Sequence, residues 1–302
     1  MSETLKQNPS FGIRWDKLPD YSDLSKEQTT FYRKTIDKMV GSFLAFMREP
    51  AVSDQYSAKS ARDLFMIIGE VAFDLMMAFD LEDSPMVIPT TRLIFPKNRA
   101  NFSFFNYKGK IGPVIEGNLL VLLKATADLE LFRNGSRVPI DYDPDGLITT
   151  VLGIAHEMVH YRQEKIPFFQ RQSKTAAHQI RSGWERTDEN LMNYNKSAEE
   201  VHASLIAVKY VMRKKSSTKP FIWDQLDFSQ KIKEILKEKI SSLKNTKIDR
   251  AHELHRQNRF IPLSDGEKRQ QIKSELDKLN QQITDWDIRL DTALARIDGD
   301  FS

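Results

Sequence analysis

Ile272, Leu276, Leu279, Ile283, Trp286, Leu290, Ala293 and Ile297 alternate by four and three, a spacing that only a long helix brings onto one face. A strand would throw these side chains to both sides. Ser264 and Glu267 precede the seam in the S-x-x-E form of a capping box, and Ile232, Leu236, Ile240 and Leu243 supply a partner helix. Residues 221–302 are therefore expected to form a helical hairpin or coiled-coil tail, with 264–297 available for a helical partner or self-association. Between Phe221 and Ser302 there are 15 basic and 15 acidic residues, so the charges read as solvated helix faces rather than a nucleic-acid arm.

Helical spacing recurs upstream. Ser25 to Gln28 forms an S-x-x-Q capping box, and Phe31, Ile36, Met39, Phe43 and Met47 follow at helical intervals to about Arg48. Leu64, Ile67, Ile68, Val71, Leu75 and Phe79 mark a second, more deeply buried helix between about Ser57 and Asp80. Within it, Glu70 and Asp74 stand one turn apart. A paired acid site needs partners to offset burial, and none is visible nearby, so a narrow solvated stripe is the expectation.

From Ser84 to about Pro144 the texture changes, with Pro, Gly and Asn punctuating short β-prone runs. Arg92–Phe95, Asn101–Tyr107, Lys110–Ile115 and Asn118–Leu123 are the expected strands, with Lys108-Gly109 and Gly117-Asn118 as turns. Helical pattern resumes from about Gly146 to Glu164 and again from about Ser197 to Lys214. The expected fold class is α+β, mainly α, with a small antiparallel or mixed sheet and the C-terminal hairpin. The expected organisation is an extended leader at 1–20, a main domain at 21–214, a linker at 215–220 and the tail at 221–302.

Composition narrows the chemistry. The 302 residues contain no Cys, which removes disulfides, thiolate zinc sites and cysteine nucleophiles, so any metal must be held by His, Asp or Glu. Lys plus Arg exceeds Asp plus Glu by only three charges, too little to make phosphate attraction the leading theme. No uncharged run approaches the roughly 18 residues of a membrane span, and the polar start lacks a signal-peptide core. A cytoplasmic location is the default expectation, and signal-independent export or virion packaging is compatible with the same features.

The chemistry concentrates at His156-Glu157-Met158-Val159-His160, an HExxH motif inside a run with no Pro and a single Gly from Thr150 to Glu164. On a helix, residues four apart share a face, so both imidazoles can address one ion, while Glu157 lies about 100° round, within reach of an attacking water. Two imidazoles alone do not make a tight hydrolytic zinc site, which takes three protein ligands and keeps a fourth position for water. Downstream, Glu199, Glu200 and His202 open a helix that is otherwise apolar nearly all round. Glu200 shares a face with Ala203 and Ala207, which lets this helix approach closely and makes Glu200 the preferred third ligand, with Glu199 next and His202 after it. By contrast, His252 and His255 are three apart in a strongly charged helix and read as solvated surface.

HExxH followed on a later helix by Glu200-x-x-Ala203-Ser204-x-x-Ala207 resembles the gluzincin class of zinc metallopeptidases, a likeness covering about a fifth of the chain. Two departures stand out. The 39 residues between His160 and Glu200 exceed the thermolysin-like spacing, and Ser204 stands where many gluzincins have Asp. The resemblance implies that His156, His160 and Glu200 hold Zn2+ and that Glu157 is the general base for attack of a zinc-bound water on a protein or peptide substrate. It also implies a sheet edge that holds extended substrate, for which Lys110–Ile115 or Asn118–Leu123 qualifies. Tyr161, Tyr194 and Tyr210 are candidate oxyanion donors. The rival expectation is a non-catalytic helical interaction protein with a degenerate or structural metal site, although a structural brace has no use for Glu157.

Overall fold

The computed structural model describes residues 13–47, 56–57, 61–82, 85–90, 103–105, 114–118, 130–133, 136–139, 144–163, 198–215, 227–262 and 264–300. After a single 3-10 turn at Trp15–Lys17, six helices carry most of these: α1 Lys26–Met47, α2 Ala61–Phe79, α3 Pro144–Gln163, α4 Ala198–Lys215, α5 Ser229–Phe260 and α6 Gly266–Asp300. By internal contacts the chain divides into residues 1–182 with 209–226, and 183–208 with 227–302. The division falls inside α4, which is one unbroken helix.

The expectation of an α+β domain built on one small sheet is corrected. Among the residues whose side chains are described every element is helical, and the fold is mainly α. The short backbone strands are β1 Tyr56–Ser57, β2 Met86–Thr90, β3 Ser103–Phe105, β4 Val114–Asn118, β5 Glu130–Arg133 and β6 Ser136–Pro139, split between the orders β1-β5-β6 and β2-β4-β3. β3 lies within the expected Asn101–Tyr107, and β4 shares Val114 and Ile115 with the expected Lys110–Ile115; residues 101–102 and 106–113 lie outside the described residues. Gly117-Asn118 ends a strand instead of making a turn, because both residues pair with β2 at Pro89 and Thr90. Pro89 lacks a ladder N–H, which argues against a strand anywhere but at an edge, and β2 is an edge. β4 is flanked on both sides, so Val114 and Ile115 offer no free edge for an extended substrate. The segments 92–95 and 119–123 lie outside the described residues.

The start of α1 follows its sequence closely. The Ser25 hydroxyl accepts from the Gln28 backbone N–H at 3.1 Å, and the Gln28 side-chain carbonyl accepts from the Ser25 N–H at 2.9 Å, a complete capping box. α2 is the central helix because it is apolar nearly all round. Phe65, Ile68, Val71, Phe73, Leu75 and Met76 are fully buried, each large aliphatic or aromatic side chain contributing about 1.5–3 kcal/mol on burial. α1 packs against it, and Gly69 lets it come close: a Cβ there would run into the Ile36 side chain. α3 also packs against α2, and its Leu147, Val151, Ile154, Ala155 and Met158 are buried. The helix ends with Asp80 at φ 57°, and Leu81 N–H donates to Met76 O at 3.0 Å, a left-handed C-terminal cap.

The acid pair on α2 also departs from expectation. Asp74 is completely buried rather than solvated. Its carboxylate accepts from Tyr21 Oη at 2.7 Å and Tyr210 Oη at 2.6 Å and pairs with Lys214 Nζ at 2.8 Å. Glu70 accepts from Tyr32 Oη at 3.1 Å, while its second oxygen is buried without a hydrogen-bond partner. Burial is the main force pushing the Glu70 carboxyl up to about 7, opposed by the Tyr32 hydrogen bond and assisted by the neighbouring Asp74 charge. Burial likewise raises Tyr210 and Tyr21 well above the usual phenol range, with the Asp74 charge acting in the same direction. The cluster ties the segment before α1, α1 itself and the C-terminal half of α4 to one turn of α2.

α5 and α6 run antiparallel. Lys233 pairs with Asp298, Lys244 with Asp287, and Arg250 with Glu275, while Ala251, Leu254, Leu276 and Leu279 form a small core joined by Ile272. The cap of α6 is one residue later than expected, since Asp265 Oδ1, not Ser264, accepts from the Lys268 N–H at 3.2 Å. His252 and His255 are exposed.

Candidate metal centre

α3 forms where the sequence places a run free of internal Pro, with Pro144 at its first position, where the missing N–H is harmless. Its inward face carries Val151, Ala155, Met158 and Val159. That burial fixes the helix rotation and leaves His156 and His160 half-buried on one side. Their rings meet edge to face, with centroids 4.6 Å apart and planes at 80°. The two Nε2 atoms are 2.9 Å apart.

At the far end of this helix, Arg162 donates to the carbonyl of Phe79 at 2.8 Å and lies over the Phe79 ring at 5.1 Å. Desolvation lowers the Arg162 pKa, the expected effect of placing a guanidinium against the end of a buried helix. The contact fixes the last turn of α3, and with it His160, to the end of α2.

His156, His160 and Glu200 each place one ligand atom within 4.8 Å of the other two. Glu200 is 7 % exposed and lies in the first turn of α4. This donor set fits zinc: two imidazoles and one carboxylate are the ligands of hydrolytic centres. Ligand atoms about 2.0–2.1 Å from a tetrahedral ion stand roughly 3.3 Å apart, so an opening of a few tenths of an ångström between the Nε2 atoms accommodates it. Glu157, on the same helix, is 8 % exposed. At 2.9 Å the two Nε2 atoms form a hydrogen bond, in which one imidazole donates its N–H and the other accepts.

The other candidates separate. Glu199 lies in α4, with a side chain outside the described residues, and Tyr194 lies outside them altogether. His202 is half-buried and does not belong to the group of converging donors. Tyr161 is 5 % exposed on α3. The Tyr210 hydroxyl is committed to Asp74 within the core, which removes it as an oxyanion donor. Sequence reasoning passed over Gln163, which is 3 % exposed and whose Oε1 lies 2.7 Å from His160 Nδ1. Its signal was the spacing: i+3 from a ligand is the same helix face.

Comparison with protein-family models, curated proteins and solved structures gives no match. Among the described residues no helix is long and apolar enough to cross a membrane.

Proposed function

We propose that the chain is a zinc-dependent peptidase of the HExxH type, related in mechanism to the gluzincins. The observation that carries this reading is the convergence of His156, His160 and Glu200, three residues of the required types brought together from two helices. In this reading His156 and His160 hold the ion through Nε2 and Glu200 through a carboxylate oxygen. Zinc, when bound, supplies a Lewis acid that polarises a peptide carbonyl and lowers the pKa of water to about 7. Glu157 takes a proton from the attacking water and delivers it to the leaving amine nitrogen, the general base and acid in turn. Its burial limits bulk water around the carboxylate and so strengthens its electrostatic influence.

The test separates binding from chemistry. Purified chain is expected to hold one zinc per molecule and to hydrolyse a broad peptide mixture. Glu157→Gln retains the metal while turnover falls by about 10²–10⁴, whereas His156→Ala loses both. A zinc content of zero in the wild type, or proteolysis that survives His156→Ala, contradicts the reading. Retained zinc without hydrolysis of any peptide would favour a structural metal site.

A further inference from the structure

The ligand imidazole of His160 has a buried partner on its far side. Gln163 stands three residues on, on the same face of α3, and presents Oε1 to His160 Nδ1 at 2.7 Å. An amide oxygen can only accept, so the proton of this bond belongs to Nδ1. A neutral imidazole carries one N–H, and placing it on Nδ1 leaves Nε2 with a lone pair. That Nε2 is the atom facing His156 Nε2 at 2.9 Å, the side on which the three donors converge.

We infer that Gln163 is a positioning residue for the metal centre, holding His160 in the Nδ1–H tautomer so that Nε2 is ready to bind the cation. The inference rests on the metal reading above and adds a residue outside the three ligands. Burial strengthens it in two ways. With Gln163 only 3 % exposed, water cannot readily replace its carbonyl, and the low local polarity makes the hydrogen bond stronger than it would be at the surface. Partners of this kind orient the ring and raise its basicity, and losing one typically costs 10–100-fold in metal affinity. An amide carbonyl does this without adding charge. The site would thus carry the single negative charge of Glu200 opposite a divalent ion, besides the nearby Glu157.

Two measurements on the full chain test this, with Gln163→Met and Gln163→Glu beside the wild type. Imidazole 15N shifts in metal-free protein are expected to show His160 protonated at Nδ1 in the wild type and a tautomer mixture in the Met variant. Zinc titration is expected to give 10–100-fold weaker binding for Met and wild-type or tighter binding for Glu, which keeps an acceptor. A merely structural glutamine would show no change in tautomer and no rescue by Glu. Protonation of wild-type His160 at Nε2, or unchanged zinc affinity in a folded Met variant, overturns the inference. If the wild type takes up no zinc, the metal reading itself fails. The 15N shifts then still decide whether Gln163 sets the tautomer.

Discussion

A single buried carboxylate on α2 illustrates how far one residue can organise this chain. Asp74 takes two hydroxyl donors and an ammonium with no exposure to water, so its charge is balanced by Lys214 and its oxygens are further satisfied by two neutral donors. Asp74→Asn strands Lys214, itself 8 % exposed, and is expected to cost about 3–5 kcal/mol in urea unfolding. Tyr210→Phe removes one donor of three and should cost about 1.5–3 kcal/mol; a loss under about 0.5 kcal/mol for either would show that the cluster is not load-sharing in solution. Glu70 supplies a pH signature. Its folded pKa of about 7 lies above the ordinary 4.5, so the folded state binds the proton more tightly. This contribution is fully present below about pH 4.5 and is lost as pH rises through 7, an effect of up to about 3 kcal/mol. Glu70→Gln should flatten the fall in stability between pH 4.5 and 7, measured by denaturant midpoints across that range. An unchanged slope would place Glu70 in water.

At the scale of elements, the helices were legible because apolar spacing and capping chemistry are local. Ser25 and Gln28 cap α1 as written in the sequence, and Ser25→Ala is expected to cost about 1 kcal/mol. For α6 the same logic chose the wrong residue. Ser264 with Glu267 three residues on fits the box pattern, yet Asp265 makes the cap bond. Asp265→Ala should therefore cost about 1 kcal/mol and Ser264→Ala close to nothing, and thermal unfolding of the two variants distinguishes these assignments. Strand pairing was less legible than the helices for reasons of range. β4 pairs with β2 in parallel, a partnership that no turn signal announces, while β5 and β6 flank Asn134-Gly135, a two-residue hairpin signal.

For the molecule as a whole, the candidate site was legible in part. The HExxH spacing placed two imidazoles on one helix face without any tertiary knowledge, and the apolar surroundings of Glu200 marked it as a carboxylate in need of a partner. What the sequence could not announce were groups whose partners are distant in the chain. Tyr210 meets Asp74 across 136 positions, which turned an expected solvated stripe into a buried cluster and withdrew a tyrosine from the proposed chemistry. Arg162 meets the end of α2 across 83 positions. Zinc bound by the native chain alone should also stabilise it by mass action, by about 2.7 kcal/mol at a hundredfold excess over the dissociation constant. An EDTA-treated sample should accordingly unfold at lower temperature and recover on adding zinc, whereas identical melting curves would leave no role for a metal in the native state.

The most direct measurement is zinc stoichiometry by elemental analysis of the wild type beside Glu200→Ala and Glu157→Gln, with peptide hydrolysis followed on the same preparations. One zinc is expected in the wild type and in Glu157→Gln, hydrolysis in the wild type alone, and weakened or absent zinc in Glu200→Ala. A wild type free of zinc, or full zinc occupancy with unaltered affinity once Glu200 is removed, would contradict the metal reading.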